Sequence, residues 1–197
     1  IPFTGVDVKI ADDGEILVKG ENVMNGYWND PEATSKAIVN GWVHTGDIGK
    51  IDNEGYISIT DRKKDIIVNA GGDNISPSRV QEKLEIEPEI AQSLVYGDYK
   101  NYLVAIIVPS EDYIEKWASE NNREPILIEL ASDKDFYKSI TIIMDKINNN
   151  LSFIEKVRKF IIAKEQFTVE NGMLTPTMKI RRFQITRNYE EELKSLY

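Results

Sequence analysis

Asp61-Arg62-Lys63-Lys64-Asp65 decides how this chain divides. Five charged side chains in a row cannot be core, so the run reads as a solvated connector between domains. On its N-terminal side the hydrophobic pattern has period two. Val6-Asp7-Val8-Lys9-Ile10 alternates, Glu15-Ile16-Leu17-Val18-Lys19 alternates more loosely, and Asp13-Gly14 between them is a hairpin signal. Asn29-Asp30-Pro31-Glu32 opens a short helix, because proline suits the first helical position and acids suit the first turn. Ile48 to Ile51 leads through Asp52-Asn53-Glu54-Gly55 into Tyr56-Ile57-Ser58-Ile59-Thr60, a second strand pair.

Beyond the charged run the pattern becomes mixed. Ile66-Ile67-Val68 is a short strand, Gly71-Gly72 a turn, and Ser76-Pro77 a helix start with Val80 and Leu84 on one face. Ser93 to Tyr96 and Tyr102 to Val108 read as strands around a turn at Gly97-Asp98. Helices are expected at about Glu111 to Glu120 and Phe136 to Lys156, the latter weakened by Asn148-Asn149-Asn150, a strand at Phe160 to Ala163, and a helix at Asn188 to Leu196. The expected class is α+β: a small strand-rich subdomain over residues 1–60, a linker at 61–65, and a mixed α/β domain over 66–197 with a short central sheet and flanking helices.

The 197 residues suit one ordinary domain or two small ones, and 41% hydrophobic residues suffice for a core. No apolar run approaches the roughly 18 residues that span a bilayer. Ile1-Pro2-Phe3-Thr4-Gly5 has neither an initiating Met nor a basic flank, so the chain is expected to be cut from something longer. The absence of cysteine excludes disulfides, thiolate metal sites and cysteine nucleophiles, and is compatible with a cytoplasmic location. A single histidine, His44, leaves little for a zinc site or a Ser-His-Asp triad, and no metal site is expected. The net charge of -9 argues against nucleic-acid binding, so an anionic ligand needs local basic groups such as Arg62-Lys63-Lys64 or Lys179-Ile180-Arg181-Arg182.

Three stretches can carry chemistry, and each has a plainer alternative. In Thr45-Gly46-Asp47 a carboxylate beside a glycine can accept two hydroxyl hydrogen bonds, as in ribose recognition, or can simply satisfy turn amides. In Asp61 to Asp65 and the following Asn69-Ala70-Gly71-Gly72-Asp73-Asn74, Arg62 can hold a phosphate or ribose and the glycines allow close backbone approach. The same residues also make an ordinary charged linker and hairpin. In Asn171 to Arg182, Gly172 and Pro176 interrupt regular structure, so Lys179 sits at a loop, as a phosphate clamp or as a surface charge.

Taken in order, these stretches resemble the C-terminal third of the adenylate-forming enzymes, the superfamily of acyl-CoA synthetases, luciferases and peptide-synthetase adenylation domains. Gly14-Glu15-Ile16 through Gly26-Tyr27-Trp28 resembles the strand-rich segment after the adenine site, and Trp42-Val43-His44-Thr45-Gly46-Asp47 the ribose motif. Asp61 to Asp65 is similar to the linker, Asn69 to Pro77 to the glycine-containing hairpin, and Leu174-Thr175-Pro176-Thr177-Met178-Lys179 to the ending of long-chain acyl-CoA synthetases. The resemblance implies that Asp47 binds the ribose hydroxyls of ATP, Arg62 contacts the nucleotide, and Lys64 is the pivot of a mobile lid domain. It further implies that Gly71 and Gly72 approach the pantetheine channel and that Lys179 is the adenylation lysine. ATP with Mg2+ and CoA are then substrates of a full enzyme, with no cofactor bound by this part alone.

The phosphate-binding Ser/Thr/Gly loop, adenine pocket and acyl tunnel lie upstream in that family, which makes an N-terminal domain of the same protein the expected partner. Helical material between Ser110 and Asn150 favours the long-chain subgroup, and a fatty substrate is compatible with peripheral membrane contact. The competing expectations are a fatty acyl-AMP ligase, another acid-CoA ligase, and a non-catalytic binding or regulatory module that kept the lid's shape.

Overall fold

The computed structural model describes residues 1–197, which divide into two compact units, Ile1–Ile66 and Ile67–Tyr197. In the first unit, β1 (Val6–Ile10) and β2 (Glu15–Gly20) form the hairpin across Asp13-Gly14. The short α1 (Pro31–Ala37) is capped by Asp30, whose side chain accepts the Ala33 N–H at 2.8 Å. It leads into β3 (Ile38–Val39), the long β4 (Trp42–Ile51) and β5 (Ile57–Arg62). The sheet runs β1-β2-β4-β3, with β5 also paired to β4, all antiparallel.

The charged run is not uniformly solvated. Asp61 and Arg62 complete β5, and only Lys63–Asp65 forms a connecting 3-10 turn. Asp61 is 7% exposed, contrary to the expectation that none of the run is core; its Oδ1 accepts the Arg62 N–H at 2.7 Å. A buried carboxylate is tolerable where donors reach it.

In the second unit, β6 (Ile67–Val68) and β7 (Asn74–Ile75) make a two-stranded ribbon around Gly71-Gly72, followed by α2 (Pro77–Glu85). The central sheet contains β8 (Ile90–Tyr96), β9 (Leu103–Pro109) and β10 (Val157–Ile162), in the order β10-β9-β8. Strand β9 is antiparallel to β8 and parallel to β10. The crossover between β9 and β10 carries α3 (Glu111–Asn121), α4 (Leu127–Leu130) and α5 (Lys134–Asn148). Every residue of β9 is buried, because helices cover both sheet faces. Ala105 and Ile107 face Val80, Leu84, Phe136 and Ile140, whereas Val104 and Ile106 face Phe167, Met173, Ile185 and Leu193.

Three helix boundaries differ from expectation. Helix α5 stops at Asn148 rather than near Lys156 because the Asn148 side chain joins the strand ladder. Its Nδ2 donates to Val157 O and its Oδ1 accepts from Val157 N, both at 2.9 Å. The helix expected at Asn188 to Leu196 is α7 (Glu190–Ser195), and an unexpected α6 (Arg182–Asn188) precedes it, with Tyr189 between the two. Tyr189 is buried against the sheet and its hydroxyl accepts the Lys164 N–H at 3.2 Å, so tertiary packing outweighs helical continuity there. The single-turn α4 has too short a pattern to be read from sequence.

Candidate functional site

The ribose-type motif is built within the first unit by cross-strand bonds. Thr45 Oγ1 donates to Ile16 O at 2.7 Å and accepts the Asp47 N–H at 3.1 Å, which sets the backbone at Asp47. Asp47 and Arg62 are directly opposite in the β4–β5 register, and Asp47 Oδ1 lies 2.8 Å from Arg62 Nε. Their side chains are 23% and 58% exposed, so this pair adds little stability in water but holds a carboxylate and a guanidinium side by side. Lys64 lies exposed in the 3-10 turn that follows.

Behind the motif is a residue that sequence reading passed over. Glu15 is buried; its Oε1 accepts the Gly46 N–H at 2.8 Å, and its Oε2 lies 2.8 Å from His44 Nδ1 and 3.0 Å from Lys63 Nζ. Burial alone would raise this carboxyl's pKa, but the bonds from His44, Lys63 and Gly46 outweigh it and hold it below the usual range. Lys63 also reaches Asp13 Oδ2 at 2.7 Å, and the two carboxylates raise its pKa. The one signal in the sequence was a glutamate directly ahead of the apolar run Ile16-Leu17-Val18.

The glycine hairpin is organised by Asn69. Its Oδ1 accepts the N–H groups of Gly71 and Asp73 at 2.9 Å each, and its Nδ2 donates to Asp73 Oδ2 at 2.9 Å. Only Gly72 adopts positive φ, at 87°, where a side chain would be strained. At Gly71 an added Cβ would stand 3.3 Å from Asn69 Oδ1, a tight contact with the atom that organises the turn. The ribbon is tied to the β8–β9 turn by Ala70 N–H to Lys100 O at 3.0 Å and Tyr99 N–H to Val68 O at 2.7 Å. Beside Gly71 is a groove of about 470 Å³ whose walls include Tyr102, Phe153, Lys156 and Arg158. The Arg158 guanidinium stands 5.0 Å from the centre of the Phe153 ring, which is itself 79% exposed. Phe153 and Lys156 were missed because they lie within the expected helix that ends early, and Arg158 because it lies just beyond the expected end of that helix.

Lys179 is exposed, but its turn is not loose. Thr175 N–H donates to Lys179 O and Met178 N–H to Thr175 O, both at 2.8 Å, while Thr175 Oγ1 accepts the Lys179 N–H at 3.0 Å. Met178 takes φ 60°, an uncommon conformation for a non-glycine residue. The trailing end is tied down by Arg182, whose guanidinium donates to Val95 O at 2.6 Å and Gln81 Oε1 at 2.7 Å. The structure thus pairs Asp47 with Arg62 in one unit, and carries Gly71-Gly72 and Lys179 on separate loops of the other.

Residues 64–197 match the family model of the AMP-binding enzyme C-terminal domain. The whole chain is 38% identical, over 198 residues, to the long-chain-fatty-acid–CoA ligase FadD15 of Mycobacterium tuberculosis, covering 33% of that protein. It is 38% identical over 189 residues to long-chain-fatty-acid–CoA ligase 1 of Cavia porcellus, covering 94% of this chain and 27% of the relative. The chain therefore spans about a third or less of the length of the curated relatives it matches. Among solved structures, the adenylation domain of a carboxylate reductase from Mycobacterium chelonae matches all of this chain and 31% of its own, with TM-score 0.80 and 24% identity. An o-succinylbenzoate coenzyme A synthetase from Bacillus subtilis, in complex with AMP, matches 93% of this chain and 34% of its own, with TM-score 0.65 and 27% identity. The chain belongs to the AMP-binding enzyme family, and residues 64–197 are that family's C-terminal domain.

Proposed function

We propose that this chain is the C-terminal part of an ATP-dependent long-chain fatty-acid–CoA ligase, working with an N-terminal domain of the same protein. The observation that supports it most is the division of the candidate residues. Asp47 and Arg62 are paired in one unit's sheet, Lys179 and the glycine hairpin belong to the other, and Lys64 lies in the short turn of sequence that follows Arg62. Such a division suits a reaction whose two steps need different groups at one centre.

In the first step a fatty carboxylate oxygen attacks the α-phosphorus of ATP; an O–P bond forms and the bond to pyrophosphate breaks. Asp47, with one oxygen on Arg62, accepts the ribose hydroxyls. The Lys179 ammonium lies between the two approaching anions and offsets the charge that develops. In the second step the CoA thiolate attacks the acyl carbonyl, a C–S bond forms and the bond to AMP breaks. Lys179 is not needed for that step, whereas the exposed Gly71-Gly72 backbone gives the pantetheine a narrow approach. Lys156, Arg158 and Phe153 in the adjoining groove suit the phosphates and adenine of CoA, which favours a CoA ligase over a ligase that stops at the acyl-AMP. Mg2+ is read as arriving with ATP. No helix is long and apolar enough to cross a membrane, and a cytoplasmic site with peripheral membrane contact fits a fatty substrate.

The test is Lys179→Ala in the full-length protein. Acyl-adenylate formation should fall by about 10²–10³-fold, while thioester formation from supplied acyl-adenylate changes by less than about threefold. Equal loss in both half-reactions removes the assigned role, and turnover by residues 1–197 alone contradicts the need for an N-terminal domain.

A further inference from the structure

We propose that Glu15 is a positioning residue that couples the ribose-binding turn to the fixed end of the linker, so that rotation begins at Lys64 and not before it. This rests on the reading of Asp47 as ribose ligand and Lys64 as pivot.

The Glu15 side chain is 4% exposed, and its donors come from separate parts of the chain: His44 and Gly46 on β4, and Lys63 in the 3-10 turn. Two of these donors stand next to residues with proposed roles. Gly46 immediately precedes Asp47, and Lys63 immediately precedes Lys64. The carboxylate therefore holds the backbone N–H on one side of the ribose ligand and the side chain on one side of the pivot. A buried carboxylate left without its cation is costly, which makes detachment of Lys63 unfavourable. Asp13 supplies a second anchor at 2.7 Å, and its own Oδ1 accepts the Glu15 N–H at 3.1 Å, so the ammonium is gripped from both ends of one short turn. Lys63 is thereby fastened to β2, whereas the chain after it is free of that grip.

An ion pair that only stabilised the sheet would need no such placement. With Lys63 released, the pivot can slip toward Arg62 and the lysine turn and glycine hairpin no longer arrive at the same place. Lys63→Met and Lys63→Arg in the full-length protein, with the two half-reactions measured separately, read this directly. Lys63→Met removes the bonds to both Glu15 and Asp13 and should change the ratio of adenylate formation to acyl transfer by about tenfold, and Lys63→Arg should restore it to within about threefold. Glu15→Gln should change the same ratio and also raise the KM for ATP by about fivefold, because the charge facing the ribose turn is lost as well. Proportionate loss of both half-reactions in Lys63→Met, or an unchanged ratio in a folded protein, overturns the coupling. If Lys179→Ala leaves adenylation intact, the functional reading fails first. If Lys179→Ala behaves as expected while the Lys63→Met ratio stays put, only the coupling fails.

Discussion

The glycine hairpin and the lysine turn of the second unit solve opposite problems with the same device. In each, a small polar side chain acts as a backbone acceptor: Asn69 Oδ1 for Gly71 and Asp73, and Thr175 Oγ1 for Lys179. The hairpin presents bare backbone, so it needs glycine at Gly72 and takes its rigidity from the neighbouring β8–β9 turn. The lysine turn presents one long side chain, so its rigidity comes from within, with Arg182 fastening its far end to β8 and α2. The difference teaches that neither loop is designed to move alone. On the proposed reading, a turn closed by its own hydrogen bonds carries the Lys179 ammonium along with its domain.

Four substitutions break or sharpen this contrast, beginning with the largest effect. Arg182→Ala removes charge-assisted bonds to Val95 O and Gln81, so denaturant unfolding should show a loss of about 2–3 kcal/mol, with adenylation slowed more than acyl transfer. An equal slowing would mean that Arg182 supports the domain and not the turn. Gly72→Ala forces a side chain into positive φ at a cost of about 1–2 kcal/mol, and here acyl transfer from supplied adenylate should be the slower step. Thr175→Val keeps the shape but loses the acceptor for Lys179 N–H. A cost of about 1 kcal/mol is expected, visible as faster hydrogen exchange at Lys179 and a several-fold slower adenylation. Met178→Gly relieves a φ of 60° but frees the unfolded chain, so stability should stay within about 0.5 kcal/mol; a loss well beyond that would show that the Met178 side chain itself packs.

Much of the local structure was legible. Asp30-Pro31 and Ser76-Pro77 announced α1 and α2 because a capping oxygen followed by proline satisfies the first turn without outside help. Asp13-Gly14 announced the first hairpin for a similar reason. The candidate residues are named by the family resemblance, which their identity and order carry. What escaped depends on partners far away in sequence. Glu15 looked like one more strand residue until His44, Gly46 and Lys63 closed on it from 29, 31 and 48 positions away. Arg182 looked like part of a basic run, and its guanidinium binds Gln81 at a separation of 101.

By itself the sequence determined the elements with local signals, the change of pattern at Asp61 to Asp65, and the membership of the family, because caps, turns and periodicity act over a few residues and motifs are read in order. Only the tertiary structure decided that Asp61 is buried, that β10 lies parallel beside β9, that Tyr189 separates α6 from α7, and that Lys63 is tethered to Glu15. Those outcomes depend on which distant groups meet where water is excluded. There an unpaired charge or amide is expensive, and an isolated stretch of sequence does not say who its partner will be.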